Sequence, residues 1–491
     1  MSSPAVPSHT QILVIGGGPG GSYSATCLAR EGFSVVLLEA SKFPRYHIGE
    51  SLLPSMRQFL RFIDAEELVS AQGYAHKPGA AFKLNQAKRE GYTDFSPLIG
   101  SWNVLRSDFD DLLLRHAADS GANVIQETKV TDIVFEGSRP IAARWKSVND
   151  AEGRINFDYL VDASGRNGIM SVKYLKNRRF NHSLKNVAYW GYWTGTSKYM
   201  PGTDRDNAVF IEGLKDESGW AWFIPLAGGV VSVGVVVDKD KSAAKRKLYD
   251  IVDLDEKNYQ YYMDELSRSP SMTKLLGGGT MKTTDGRKGL KTTSDFSYDS
   301  DRYGGDHYRI VGDAGAFVDP LFSSGVHLAM TGALSAALTI ASSICGTVIE
   351  DKAAQWHSAK IRTAYTRFLV VVLGTYQQLL NQKMDIMSSV EEDNFDRAFE
   401  LIGPVITGSA DVGKTQTPEE VEESMKFVLQ FFAPEDPEAK KAAQARVEYA
   451  GHNSDSLNEL YVPKQNFAQE IFYGMSANVE RGTLSLVIHD N

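Results

Sequence analysis

A chain that carries Gly16-Gly17-Gly18-Pro19-Gly20-Gly21 directly after the apolar run Ile12-Leu13-Val14-Ile15 has few folds open to it. The run reads as a buried parallel strand. The small residues from Ser22 to Arg30 read as a helix, and Ser34-Val35-Val36-Leu37-Leu38 as a second strand ending at Glu39. In such a unit Gly16 makes the tight turn, Gly18 lets the backbone approach a pyrophosphate, and Gly21 lets the helix sit close to the sheet. The helix N-terminus offers unpaired N–H groups and the positive end of its dipole to the phosphates. Glu39 stands where an acid can accept hydrogen bonds from a ribose diol. The glycine pattern alone can mark no more than a turn; with strand, helix and acid around it, it predicts a dinucleotide site.

Two later stretches have the same strand-to-turn form: Tyr159-Leu160-Val161-Asp162-Ala163-Ser164-Gly165 and Tyr308-Arg309-Ile310-Val311-Gly312-Asp313-Ala314-Gly315. Both are expected to fold back onto the glycine turn. The 491 residues suffice for two or three domains, and 42% hydrophobic with 23% charged residues is a globular composition. A net charge of −9 argues against nucleic acid or an anionic membrane as the main partner. Cys27 and Cys345 have neither metal-ligand spacing nor a disulfide framework around them. The expectation is no metal and a reducing, cytoplasmic location. Residues 1–10 lack the pattern of a signal peptide. The weakly polar stretch Leu328 to Cys345 reads as a core helix rather than a membrane span.

Other segments read as follows. Phe43 to Pro54 is a loop, with Gly49 and Glu50 placed to lie against a ring system. A helix starts at Arg106, with Ser107 or Asp108 as its cap. Asn123-Val124-Ile125 and Val130-Thr131-Asp132-Ile133 are short strands, and Ala80 to Leu84 is a strand with Lys83 among apolar neighbours. A lysine in that setting more often snorkels to solvent. Val187 to Trp193, Ala208 to Ile211 and Val230 to Val237 form a β-rich insert. The tail is helical, with a capping box at Thr417-Pro418-Glu419-Glu420 and apolar residues at helical spacing from Val421 to Phe432. The expected divisions are 1–180, 181–300, 301–350 and 351–491. In Trp220-Ala221-Trp222-Phe223-Ile224-Pro225 the two indoles share one strand face. An arbitrary Trp-x-Trp is most often a core pair.

Taken together, the three glycine and aspartate motifs resemble the flavin-binding fold of the p-hydroxybenzoate-hydroxylase type. The resemblance implies an α/β, Rossmann-like FAD-binding domain, an inserted β-sheet substrate domain and a C-terminal helical region. It assigns FAD to Gly16, Gly18, Gly21, Glu39, Arg106, Asp162 and Asp313, the stretch Asp162 to Gly165 being a spaced variant of the usual Asp-Gly. The Trp-x-Trp-x-Ile-Pro string is similar to the signature of flavin-dependent halogenases, where the indoles wall the substrate from the flavin. Phe317 to Gly325 resembles that family's flavin-covering segment, which implies halide binding at Ser324 and Gly325. Arg45, Gly49, Glu50, Val130, Pro320, Gly325 and Val326 join the implied FAD contacts. Lys83 aligns with the family's essential lysine, and Lys77 is the next candidate. Phe322 stands where tryptophan halogenases carry a glutamate. The string Phe43 to Ser51 and the tail string Phe472-Tyr473-Gly474-Met475-Ser476 resemble the fungal free-standing halogenases of aromatic polyketides.

That resemblance implies FADH2 from a separate flavin reductase, O2, chloride or bromide, and a small phenolic substrate. The implied route runs through a flavin C4a-hydroperoxide, hypohalous acid and Lys83, acting as hydrogen-bond donor or as chloramine. An aromatic hydroxylase is the second reading; a flavoprotein that kept the fold without catalysis is the third.

Overall fold

A computed structural model describes residues 5–284, 287–382, 405–407 and 467–489. Its first sheet runs, edge to edge, Gly304–Gly305, Tyr308–Ile310, Glu152–Asp162, His9–Ile15, Val35–Leu38, Asn123–Ile125. The inner pairs are parallel, with Ile15 opposite both Asp162 and Leu38, and Asp162 opposite Ile310. Four strands therefore stop at one level, and the turns that follow the three motif-bearing ones meet there. This is the convergence expected of the motifs. Thr128–Glu136 and Arg139–Ser147 extend the sheet as an antiparallel ribbon.

The first helix, Pro19–Arg30, is buried from Pro19 through Leu28 because it lies between the sheet and two other helices, Arg106–Asp119 and Gly325–Ile344. Small side chains make that burial possible. Gly16 has φ +99°, and a Cβ on Gly21 would stand 1.9 Å from the Gly16 carbonyl oxygen. The helix Gly325–Ile344 is apolar enough to cross a membrane by length and composition, yet most of it is buried inside the fold. It is a core helix.

The second sheet orders Thr280–Met281, Asn186–Thr194, Val230–Asp238, Gly219–Pro225, Val209–Gly213, Gly79–Lys83 and Gly91–Asp94. Lys291–Ser294 adds to Asn186–Thr194. Gly79–Lys83 pairs in parallel with Val209–Gly213, so the boundary expected at residue 180 is crossed: part of the first segment completes the inserted sheet. One face of this sheet carries Trp220 and Trp222 against the long helix Glu350–Leu380. The other carries Ala81, Phe210 and Phe223 toward helix Leu254–Leu266 and its Tyr261 and Tyr262. The reading of a β-rich insert omitted that helix and its neighbours Lys239–Arg246 and Pro270–Leu276.

Two local expectations change. Helix Arg106–Asp119 begins after Leu105 with no side-chain cap; the Ser107 hydroxyl donates to Asp108 at 2.9 Å instead. The last described residues form an antiparallel hairpin, Met475–Asn478 with Ser485–Ile488, rather than a helix. It docks where Trp356 Nε1 donates to the Met475 carbonyl at 2.9 Å and the Leu486 amide donates to Ser342 Oγ at 2.7 Å. The capping box at 417–420 and the helical spacing after it lie outside the described residues.

Gly21→Ala should destabilise the flavin-free protein, because the added carbon meets rigid backbone rather than a flexible side chain. A loss of about 1–3 kcal/mol or more is expected, read as a lowered unfolding midpoint in denaturant.

Candidate active site

A cavity of about 710 Å³ opens where the three strand ends meet and extends under the second sheet. At its first end lie Gly16, Gly18 and Glu39. A Cβ on Gly18 would have only the Arg45 guanidinium near it, at 3.6 Å, so this backbone faces open space. Glu39 is fixed by two amides: Gly17 N donates to Oε2 at 2.6 Å and Ser41 N to Oε1 at 2.7 Å.

Asp110, fully buried, braces two cations against this end. Arg106 donates from Nε to Oδ1 at 2.8 Å and from Nη2 to Oδ2 at 3.0 Å, and Arg45 Nη1 donates to Oδ2 at 2.7 Å. Burial pushes the Asp110 carboxyl up, but Arg106 and Arg45 outweigh it and hold the group below the usual carboxylate range. Arg106 also donates to the Ile48 carbonyl at 2.8 Å, which ties down the loop before Gly49 and Glu50. Asp110 was missed as a site residue. Its signal was the i, i+4 spacing from Arg106.

Gly49, Glu50, Val130, Asp313, Pro320, Gly325 and Val326 all border the cavity, as do Arg45 and Arg106. Burial pushes Asp313 up to about 6 although Arg106, Arg166 and Arg178 pull the other way. Two expected FAD contacts do not border it. Asp162 is fully buried and accepts from Ser164 N at 3.0 Å and Met170 N at 2.7 Å. Its carboxylate shapes the turn, and Ala163, Ser164 and Gly165 present their atoms to the cavity instead. Gly21 likewise serves packing beneath the turn.

The far wall is aromatic. Trp220 and Trp222 face the cavity from one strand face, ring centroids 5.9 Å apart, as the alternation predicted. Trp220 Nε1 donates to Tyr376 Oη at 2.7 Å, and Tyr376 donates to Asp319 Oδ2 at 2.9 Å. Asn186 Nδ2 donates to the same carboxylate oxygen at 3.0 Å. Trp222 Nε1 donates to Ser232 Oγ at 3.2 Å. Trp190, not foreseen as a site residue, borders the cavity beside Trp222.

A second cavity, of only about 10 Å³, is lined by Lys77, Phe82, Phe95, Leu321 and Phe322. Val209, Ile211 and Ser323 border both cavities. Lys77 is 2% exposed, and its Nζ donates to the Leu52 carbonyl at 3.0 Å and sits 4.9 Å from the centre of the Phe95 ring. Burial lowers its pKa to about 7. Lys83 borders neither cavity. Ala80 and Phe82 turn toward the tryptophan face, where Phe82 lies 5.2 Å from Phe322. Ala81 turns to the opposite core, and Lys83 shares its parity. The expected alternation is present, but pairing with Val209–Gly213 gives the cavity face to Phe82 rather than Lys83.

The segment expected to bind halide borders the large cavity at Phe317, Pro320, Ser323 and Gly325. Asp319 Oδ1 accepts from Leu321 N at 3.2 Å, and Ser323 takes φ +57° before helix Gly325–Ile344 begins. Ser324 is fully buried, with a hydroxyl that has no hydrogen-bond partner. Ser324 itself borders neither cavity; its chain neighbours Ser323, Gly325 and Val326 border the large one. An orphan hydroxyl beside a helix N-terminus suits an anion.

The family described as tryptophan halogenase matches residues 11–106 and 96–386. The chain belongs to that family. A flavin-dependent halogenase of Armillaria mellea, armH4, is 52% identical over 459 residues, 91% of this chain and 86% of its own. Sulochrin halogenase gedL of Aspergillus terreus is 44% identical over 525 residues, 98% of this chain and 94% of its own. Among solved structures, the myxobacterial chondrochloren halogenase CndH aligns with a TM-score of 0.70 at 27% identity, covering 86% of this chain and 98% of that one. The chain is thus a flavin-dependent halogenase of the fungal phenolic type.

The residues present fit FAD. The halogenase offers an open backbone at Gly18 for a pyrophosphate, a fixed carboxylate at Glu39 for a ribose, and Arg45 beside the turn. Gly18→Leu should therefore leave folding intact, because its side chain points into open space, and should abolish FAD uptake. Equilibrium dialysis with FAD alongside far-UV circular dichroism checks both halves.

Proposed function

We propose that this halogenase chlorinates or brominates an electron-rich phenolic ring of a natural product, an aromatic polyketide, with reduced FAD delivered by a separate reductase. When bound, reduced FAD with O2 supplies the oxidant that turns halide into hypohalous acid. The chain's own residues supply the rest of the chemistry. Ser324 and the Gly325 and Val326 amides hold the halide. Trp220 and Trp222 keep the ring away from the flavin chamber, so halogen rather than oxygen is delivered.

The observation that carries this reading is Lys77: a buried amine beside the Phe95 ring, lining a small cavity that shares Val209, Ile211 and Ser323 with the large one. We assign it the role first given to Lys83. A neutral amine can accept the hydrogen of hypohalous acid or take the halogen itself, and a pKa near 7 leaves much of it neutral at ordinary pH. Phe322, Phe82 and Phe95 make the surroundings of Lys77 apolar, and the cavity there, about 10 Å³, has room for a water-sized group and not for a ring. The relative named for sulochrin supports a phenolic substrate class.

The deciding experiment incubates the protein with reduced flavin, O2 and a resorcinol-type phenol, with and without bromide or chloride, and follows product mass. Halogen-dependent product supports the reading; oxygen insertion without halide would move the assignment to a hydroxylase. Lys77→Ala should keep the flavin-oxidising reaction and lose halogenated product by about 10²-fold or more. Lys83→Ala should retain product within a few tenths of the normal yield. Near-normal halogenation by Lys77→Ala would return the role to Lys83.

The yield of halogenated product per flavin oxidised should also depend on pH. Because burial depresses the Lys77 pKa, the neutral amine gains as pH rises through about 7. The yield should climb over that window in the wild type. In Lys77→Arg it should stay low throughout, since guanidinium remains charged.

A further inference from the structure

Halogenation of a ring by this route has a proton balance. An aromatic C–H, a halide ion, O2, reduced flavin and one proton give the C–halogen bond, two waters and oxidised flavin. The O–O bond breaks, the carbon–halogen bond forms, flavin is oxidised and dioxygen reduced. One proton must therefore enter the buried cavity in each turnover.

A single chain of hydroxyls among the described residues leads from the surface to a carboxyl on that cavity. Tyr46, 48% exposed, lies at the outer end. Its hydroxyl accepts from Trp190 Nε1 at 2.9 Å and stands 3.0 Å from the hydroxyl of Tyr192. Tyr192 donates to Glu50 Oε1 at 2.5 Å. A phenol has one hydroxyl hydrogen, so with that of Tyr192 engaged by Glu50, Tyr46 supplies the hydrogen between the rings. Glu50 is 2% exposed and borders the cavity; its carboxyl has Tyr192 and Ser232 as hydrogen-bonding neighbours, and Oε2 has no close partner of good geometry among the described residues.

We propose that Glu50, Tyr192 and Tyr46 form a proton relay that supplies the halogenation reaction, with Glu50 as the acid at the cavity. This rests on the halogenase reading above. The Glu50 carboxyl gives its proton inward, Tyr192 passes its hydroxyl proton to Glu50, Tyr46 passes its own to Tyr192, and water restores Tyr46. The groups that face the relay fit it. Arg106 on its helix favours the ionised form of Glu50, Ser232 stands beside the carboxyl from the Val230–Asp238 strand, and Lys291 lies 4.2 Å from the centre of the Tyr46 ring. Burial outweighs Arg106 and pushes Glu50 up to about 7, which leaves it able to give and retake a proton near neutrality.

The test uses the full-length protein. Tyr192→Phe keeps the ring and removes the link. It should lower halogenation turnover about 10²-fold, enlarge the solvent deuterium effect, and leave FAD affinity unchanged. Wild-type turnover should fall as pH rises above about 7, the Glu50 acid being lost, and this limb should vanish in Glu50→Gln. Added formic acid should partly restore turnover to Glu50→Ala. Independently of flavin, infrared titration of the apoprotein should show the carbonyl stretch of a protonated carboxyl that titrates near neutrality and is missing in Glu50→Gln. Tyr192→Phe with wild-type rate and pH profile overturns the relay. So does a slowed enzyme with an unchanged pH profile, no isotope effect and no rescue, which would mark a structural role. If the wild type oxidises flavin but halogenates no phenol, the halogenase reading fails separately, and an apoprotein lacking the titrating carboxyl then overturns the relay.

Discussion

Everything in this molecule hangs on a carbonyl-to-helix contact: the Gly16 backbone beneath the first helix at Gly21. No side chain larger than hydrogen fits there. That contact sets the helix N-terminus over the strand ends, and the parallel register carries the turns at Ala163 and Gly312 to the same level. Ala163 N donates to the Ile15 carbonyl and Val311 N to the Asp162 carbonyl, at 3.0 and 2.9 Å.

The second organising device is the tie between the indole wall and the halide segment. Trp220, Tyr376, Asn186 and Asp319 come from two strands of one sheet region, the long helix and the segment before Gly325, and they share one buried carboxylate. Burial pushes Asp319 up to about 6, while its amide and phenol donors pull it back. Such a network is stable only when every member is satisfied. It therefore holds the two indoles and the start of helix Gly325–Ile344 at a fixed spacing.

Charge is distributed with the same economy. At the dinucleotide end, buried Asp110 is overcompensated by Arg106 and Arg45, leaving net positive charge toward the cavity for a diphosphate. At the other end, among the described residues Lys77 has no carboxylate partner, only the Leu52 carbonyl and an aromatic ring. One end keeps its ions charged by pairing them. The other drives its amine toward neutrality by isolating it.

Legible in the sequence were the elements whose chemistry is local. The strand–turn–helix–strand unit, Glu39 at the end of its second strand, the shared face of Trp220 and Trp222 and the burial of the Gly325–Ile344 helix all follow from spacing, because 2.0- and 3.6-residue periods fix which residues lie together. Spacing does not say which face of a strand meets the cavity. Alternation separated Lys83 from Phe82, but only pairing with Val209–Gly213 and packing against Phe322 decided that Phe82 turns inward. Asp162 differs for a related reason. A carboxylate at a strand end can face a ligand or cap its own turn, and two backbone amides within hydrogen-bond reach decided for the turn. Lys77, Asp110 and the hydroxyl chain from Tyr46 to Glu50 depend on contacts between segments remote in sequence. Their burial, and hence their proton affinities, exist only once the two sheets are packed together.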